Sequence, residues 1–284
     1  MAALSAIRTA LYVRLGERNN RTVSNAEALT LINNGIEEWV SNTEELRAEN
    51  AYSVTANQYD YAAPTDCIRP LFAEWGPTKA PIEVISAQEL QDRGGYGLNS
   101  VGVPRFLVYD GVGASMRFRL YPAPSSTSAT TTILDTGGIS SSDTTIGLTA
   151  VSGMRSPAGW VGIENEKILY QNISSLNLTL CRRAMGGTTA ASHADGTTVT
   201  QLDLHVVYLR RPALLSADAD VPEIAGNHLV LVEYALWQAL EVGGRVNAQY
   251  EHAKEEWLKK LGVAKATASK ARTGSPTVMR NLYY

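Results

Sequence analysis

Four histidines are the first place to look for chemistry, because imidazole is the commonest side chain for proton transfer and metal ligation. His193, His205, His228 and His252 have no neighbours at metal-ligand spacing, and no HExxH pattern occurs. Each therefore reads as a surface or hydrogen-bonded histidine. A GxSxG elbow is absent, so a hydrolase serine has no position, and there is no Walker-type phosphate loop. Gly95-Tyr-Gly97-Leu-Asn-Ser100 imitates part of a GxGxxG fingerprint, but no strand precedes it and no long helix follows. Asp218-Ala-Asp220 would suit calcium, yet the other ligands of such a loop are missing. Those acids read instead as charges placed before a helix start, where negative charge is favourable. Sugar hydrolysis needs two carboxylates in a cleft. Between residues 128 and 201 only Asp135, Asp143, Glu164, Glu166 and Asp195 qualify. Glu164 and Glu166 fall on one strand face and read as solvated edge charges that discourage aggregation. Cys67 and Cys181 cannot build a disulfide framework or fill a structural zinc site alone. No catalytic, cofactor-binding or metal residue is assigned, and enzyme chemistry is not expected.

The elements that would position any site follow from composition and periodicity. At 284 residues, with domains of roughly 150, the chain has room for about two. Hydrophobic residues make up 44% and charged ones 19%, the balance of a chain that buries a core. The net charge is −3, which gives no support for a surface that coats duplex DNA. No apolar stretch approaches the roughly 20 residues that span a bilayer. The N-terminus is apolar in stripes, with Arg8 and Arg14 interleaved, unlike the block of a signal peptide. The expected setting is a reducing cytoplasm.

Leu4, Ile7, Leu11 and Leu15 recur at helical spacing, and Gly16 ends the pattern. Ser24-Asn25-Ala26-Glu27 reads as a capping box, followed by Leu29, Ile32, Ile36, Trp39 and Val40 on one face of a helix reaching about Arg47. The period then changes. Tyr59-Asp-Tyr61 and Cys67–Phe72 read as extended, and Ser86 caps a short helix through Glu89 and Leu90. Phe106–Tyr109 and Met116–Tyr121 alternate around an Asp110-Gly111 hairpin turn. Residues 125–132, SSTSATTT, read as a polar hinge. Beyond it Thr145–Leu148, Gly159–Ile163, Lys167–Tyr170 and Leu176–Leu180 predict strands, before His205–Leu209. Leu229, Val232, Leu236 and Leu240, then Ala253, Trp257 and Leu261, predict two helices broken at Gly243-Gly244. From Lys259 the chain holds no acidic residue, and the basic end closing in Leu282-Tyr283-Tyr284 reads as a segment that docks elsewhere.

The expected fold is α+β. A helical bundle or hairpin core with a small antiparallel sheet (1–127 and 202–262) is interrupted by an all-β, barrel- or sandwich-like domain (128–201). An extended basic tail (263–284) follows.

Taken in order, several segments resemble the head-to-tail adaptor, or connector, proteins of tailed bacteriophages. They are the capped helix ending Glu37-Glu38-Trp39, the run Gln58-Tyr59-Asp60-Tyr61 into Ala63-Pro64-Thr65-Asp66, and Val103-Pro104-Arg105-Phe106. Phe118–Pro122, Val221-Pro222-Glu223, Leu231–Leu236 and Tyr250-Glu251 complete the series. Ala63 stands where the family typically has leucine. Within 128–201, Glu166–Tyr170, Cys181-Arg-Arg183 and Gly187–Gly196 resemble a small β-domain recurring in phage neck and tail proteins. There the arginine is usually followed by glycine, and Ala184 departs from that.

The resemblance implies a structural virion protein of the neck, assembled in the host cytoplasm. It would form a homo-oligomeric ring, twelve-fold in the family, between the portal protein and the next neck or tail protein. Genome DNA would pass through without sequence-specific binding and without a membrane. It assigns portal docking to Lys265, Lys270, Arg272, Arg280, Leu282, Tyr283 and Tyr284. Ring packing would fall to helices bearing Leu29, Ile32, Ile36, Trp39, Leu229, Val232, Leu236, Leu240 and Trp257. Competing readings are a tail-side stopper- or terminator-like ring, and an accessory virion carbohydrate-binding or depolymerase protein.

Overall fold

The computed structural model describes residues 2–16, 23–76, 80–93, 100–111, 115–245 and 247–273. The fold is mixed α+β. Helices α1 (Leu4–Leu15) and α2 (Asn25–Thr43) lead into β1 (Arg47–Tyr52), β2 (Asp60–Ala62), β3 (Cys67–Trp75) and β4 (Ala80–Ser86). Helix α3 (Ala87–Asp92) precedes β5 (Val101–Gly102), β6 (Phe106–Asp110), β7 (Arg117–Tyr121) and β8 (Ala123–Pro124). Then come β9 (Thr130–Thr132), β10 (Ile146–Gly147), β11 (Gly159–Ile163), β12 (Glu166–Tyr170) and β13 (Asn172–Ser174). Next are β14 (Asn177–Thr179), β15 (Arg182–Met185), β16 (Thr198–Leu202) and β17 (Leu204–Arg210), before α4 (Val230–Val242) and α5 (Ala248–Thr273). Two compact units result, one built from residues 1–47 and 209–277, the other from 48–208.

In the first unit, Leu4, Ile7 and Leu11 are fully buried along one side of α1, and Gly16 ends the helix in the left-handed conformation at φ +73°. The first N–H groups of α1 donate to the carbonyls of Asp220 and Asp218, at 2.8 and 3.1 Å. These two acids, read from sequence as charges placed before a helix start, thus lie at the start of α1. The Asp218 carboxylate takes Arg8 at 2.7 Å, and that of Asp220 accepts the N–H groups of Ser216 and Ala217. The capping box at α2 forms as predicted: Glu27 N–H donates to Ser24 Oγ, and Ser24 N–H donates to the Glu27 carboxylate. That helix stops at Thr43, short of the predicted Arg47, because Glu44 turns left-handed at φ +53°. Nothing in the composition announces this stop, since Glu44, Glu45, Leu46 and Arg47 are all good helix formers.

Helix α4 is buried on most of its surface, and α5 turns Tyr250, Ala253, Trp257 and Leu261 inward. Trp257 packs its ring 5.5 Å from Trp39 of α2 and 4.9 Å from Tyr234 of α4. Gly35 permits this approach, because a Cβ there would lie 2.9 Å from the Tyr234 ring. Buried Glu233 ties three helices, pairing with Arg14 of α1 and with Lys260 of α5 at 3.3 Å. Helix α5 continues to Thr273, so residues 263–273, expected to belong to the extended tail, are helical.

The second unit contains a seven-stranded sheet in the order β1-β17-β3-β4-β6-β7-β2. The pairs β3–β4, β6–β7 and β2–β7 are antiparallel, whereas β4 and β6 run parallel. Tyr61, Leu107, Phe118, Leu120, Leu204 and Val206 build its core. Strand β4, with Pro81 near its start, was not among the expected strands. Residues 130–202 add a five-stranded sheet, β15-β12-β11-β16-β9, and a three-stranded one, β10-β14-β13. Ile133, Ile146, Leu148, Ile163, Ile168 and Tyr170 lie in the core they share.

The segment expected to be a hinge is structured. Thr130–Thr132 pairs with Thr198–Thr200, and Ser128 Oγ is buried, accepting from Val54 N–H at 2.9 Å and donating to Asp203 at 2.7 Å. A run of Ser and Thr has the composition of a linker and also that of a β-branched strand whose hydroxyls satisfy its surroundings. Further ties join residues 155–203 to β3 and β17. Gly76 N–H donates to the Asp203 carbonyl at 2.6 Å, Arg155 pairs with Glu74, and Trp160 stacks on His205 at 5.2 Å.

Candidate functional site

The densest group of titratable side chains in the described residues surrounds Glu166. This residue opens β12 with its side chain 1% exposed. Arg183 of β15 grips it with two parallel bonds, Nε to Oε1 and Nη2 to Oε2, each 2.7 Å. The N–H groups of Ala184 and Ala191 donate to its two oxygens at 3.1 Å, and His193 Nε2 lies 2.9 Å from Oε2. The other histidine nitrogen, Nδ1, sits 2.8 Å from Glu164. Arg183 also reaches the carbonyls of Ser140 and Ala191, at 2.6 Å each. Ala184 adopts φ +56°, so the backbone turns as it would with the glycine usual at this place.

Burial alone would raise the Glu166 pKa. The hydrogen bonds from Arg183, then His193, Ala191 and Ala184 outweigh it and bring the group to about 2. Such a carboxylate has no proton to give near neutrality and no lone pair left for substrate. The expectation of two edge charges on one strand face is therefore corrected. Glu164 is exposed in the β11–β12 turn at φ +51°, and Glu166 is an internal anchor. The sequence signal was available, since Glu166, Arg183 and His193 all lie in segments singled out above. Only the fold brings them together.

A cleft of about 960 Å³ opens beside this cluster, lined by Tyr52, Glu164, Lys167, Thr188, Thr198 and Thr200. Its charges are already engaged: Lys167 bonds Asn50 and lies over the Tyr52 ring, and Glu164 holds His193. His205 bonds Glu49, the ring nitrogens of His228 face the carbonyls of Ala2 and Ile224, and His252 is exposed. Among the described residues no group of three or more His, Cys, Asp or Glu could hold a metal ion, and no helix is long and apolar enough to cross a membrane.

Ile32, Ile36, Trp39, Val232, Leu236, Leu240 and Trp257 are buried within this one chain, Leu29 is half-buried, and Leu229 is exposed at the start of α4. Their faces are covered by each other, because α4 and α5 supply the cover that a lone helical hairpin would lack. Helix surfaces left to solvent carry other residues: half-buried Tyr234 and Trp237, and exposed Glu38, Glu241, Leu258 and Val263. Periodicity could not find the α4 stripe, since apolar residues surround that helix. Of the expected docking residues, Lys265 is exposed on α5, and Lys270 and Arg272 occupy its last turn. Arg280, Leu282, Tyr283 and Tyr284 lie outside the described residues.

A protein-family model described as SU10 adaptor protein matches residues 2–280, spanning both units. No curated protein matches the chain.

Proposed function

Since the chain belongs to the SU10 adaptor protein family and is thus a structural adaptor of a phage virion, we propose that it is the head-to-tail adaptor docked under the portal. In this reading copies form a ring in the neck, join capsid to tail, and enclose part of the channel through which genome DNA is retained and ejected. The single observation that carries it is the family match over nearly the whole chain, residues 2–280.

Several features support the finer reading. Helix α5 runs on past its buried residues, with no side chain buried from Gly262 to Ser269, and carries the acid-free basic end. An exposed cationic helix followed by a short terminal segment suits docking on a larger neighbour. The net charge of −3 suits a channel along which DNA slides, because phosphate neutralisation drives sticking. The depolymerase alternative loses its best carboxylate pair, because Glu166 is saturated by five donors.

Native mass spectrometry of the purified chain, with and without the portal protein encoded by the same genome, tests the proposal. Addition of a full ring of 30.7 kDa copies to the portal is expected. A portal that takes up none would overturn it.

A further inference from the structure

We propose that this protein carries an internal isopeptide cross-link site: the side-chain amine of Lys167 on β12 joins the side-chain carbonyl carbon of Asn50 on β1, with release of ammonia. The inference goes beyond the neck reading and does not depend on it. Lys167 Nζ bonds Asn50 Oδ1, although 117 residues separate the two in sequence. The amide carbon is one bond beyond that oxygen, so the fold already holds a nucleophile beside its target. Gly186, just after β15, leaves room for the meeting: a Cβ there would lie 3.3 Å from both Asn50 Oδ1 and Lys167 Cδ. The lysine backbone is fixed by pairing with Met185 and by a 3.0 Å bond from its N–H to Thr188 Oγ1.

Three surrounding groups supply what amide transfer needs. Burial pushes the Lys167 pKa below the ordinary lysine value, which favours the free amine that attacks. Ala51 N–H donates to Asn50 Oδ1 at 3.0 Å, the atom on which negative charge develops once the carbonyl is attacked. Asn50 Nδ2 donates to the Tyr52 hydroxyl at 3.1 Å, so the leaving nitrogen rests on a phenol that burial keeps protonated. Lys167 Nζ also lies 5.4 Å from the Tyr52 ring centre, so one tyrosine borders both nitrogens. In the reaction Nζ bonds to Cγ, and the carbonyl oxygen takes the electron pair. When that pair returns, the Cγ–Nδ2 bond breaks. Tyr52 gives its proton to Nδ2, and the phenolate takes back the one that the attacking nitrogen sheds. An amine and a primary amide thus become a secondary amide and ammonia, with no change of oxidation state. Ammonia leaves through the cleft that Tyr52 and Lys167 line. The new bond ties β1 to the five-stranded sheet through the hairpin of β11 and β12.

Mass spectrometry of the purified full chain, kept folded at neutral pH until its mass stops changing, tests the proposal. The intact protein is expected to be lighter than its sequence by one ammonia, and proteolysis should release a branched peptide linking Asn50 to Lys167. Lys167→Arg and Asn50→Ala should each keep the full sequence mass. Tyr52→Phe should slow the loss by about a hundredfold while circular dichroism stays unchanged. A wild-type chain that keeps its full mass, with Asn50 and Lys167 recovered on separate unmodified peptides, overturns the cross-link. So does a mass deficit that persists in Lys167→Arg without the branched peptide, because it marks ring closure at another asparagine. Either failure leaves the ring reading untouched, since no step of the measurement involves the portal.

Discussion

His193 and Glu166 meet at 2.9 Å, each with a side chain 1% exposed, at the point where the loop after β15 closes onto β12. The same carboxylate holds the Arg183 guanidinium, so removing its charge would leave a buried cation unpaired. Glu166→Gln should cost about 3 kcal/mol at pH 7 in urea denaturation. The pH dependence has a definite sign. Because the folded pKa of Glu166 is depressed to about 2, its stabilisation is present above the ordinary carboxylate value of 4.5 and is lost as pH falls from there toward 2. The Gln variant should lack that part of the acid sensitivity. Equal stability of both proteins at pH 7 would refute the anchor role.

Ala184 lies one residue from Arg183 with φ +56°, a region that costs an L-residue about 1–2 kcal/mol. It is exposed, so no packing is lost on shortening it, and its N–H to Glu166 survives in glycine. The greater unfolded-state freedom of glycine offsets part of the relief. Ala184→Gly should therefore raise stability by up to about 1 kcal/mol, and Ala184→Val should lower it. A lower melting temperature for the glycine variant would contradict the strain.

Much of the local structure was legible in the sequence. The capping box at Ser24 and Glu27, the Leu4–Leu11 stripe, the hairpin of β6 and β7, and strand Gly159–Ile163 all depend on neighbours a few residues away. What escaped depends on distant partners. Thr130–Thr132 is a strand only because Thr198–Thr200 pairs with it, and Glu166 is an anchor only because Arg183 and His193 arrive from other elements. The acid-free end could be read directly, whereas the burial of α4 on most of its sides, by α1, α2 and α5, could not.

Asp203 is buried, accepts Ser128 Oγ at 2.7 Å and lies where its backbone meets Gly76. Burial raises its pKa, against the Ser128 hydrogen bond and the Arg155 charge. A carboxyl group raised in the folded state destabilises it when ionised, and that cost disappears as pH falls through the folded pKa. Asp203→Asn keeps an acceptor for Ser128 and removes the charge. It should stabilise the protein by about 1 kcal/mol at pH 7, with the advantage closing as pH drops toward the ordinary aspartate range. Destabilisation at pH 7 would show that the charge, rather than the acceptor, is needed.

Trp257 distinguishes a core within the chain from packing between chains. It is 1% exposed against Trp39 and Tyr234 of the same molecule. Trp257→Ala should cost about 3–5 kcal/mol. Because the partners are intramolecular, the loss should be the same at micromolar and much higher chain concentrations. A penalty that grows with concentration would return this residue to the surface between copies.

Removing residues 265–284 should abolish portal attachment while leaving the folded units in place. No side chain from Lys265 to Ser269 is buried, so the truncation takes helix from α5 without opening the core around Trp257 and Leu261. Stability in urea should change by less than about 1 kcal/mol, and circular dichroism should lose only the signal of the deleted helical residues. Attachment that persists in the truncated chain would place portal docking on another surface, whereas a collapse in stability would show that the end of α5 belongs to the fold.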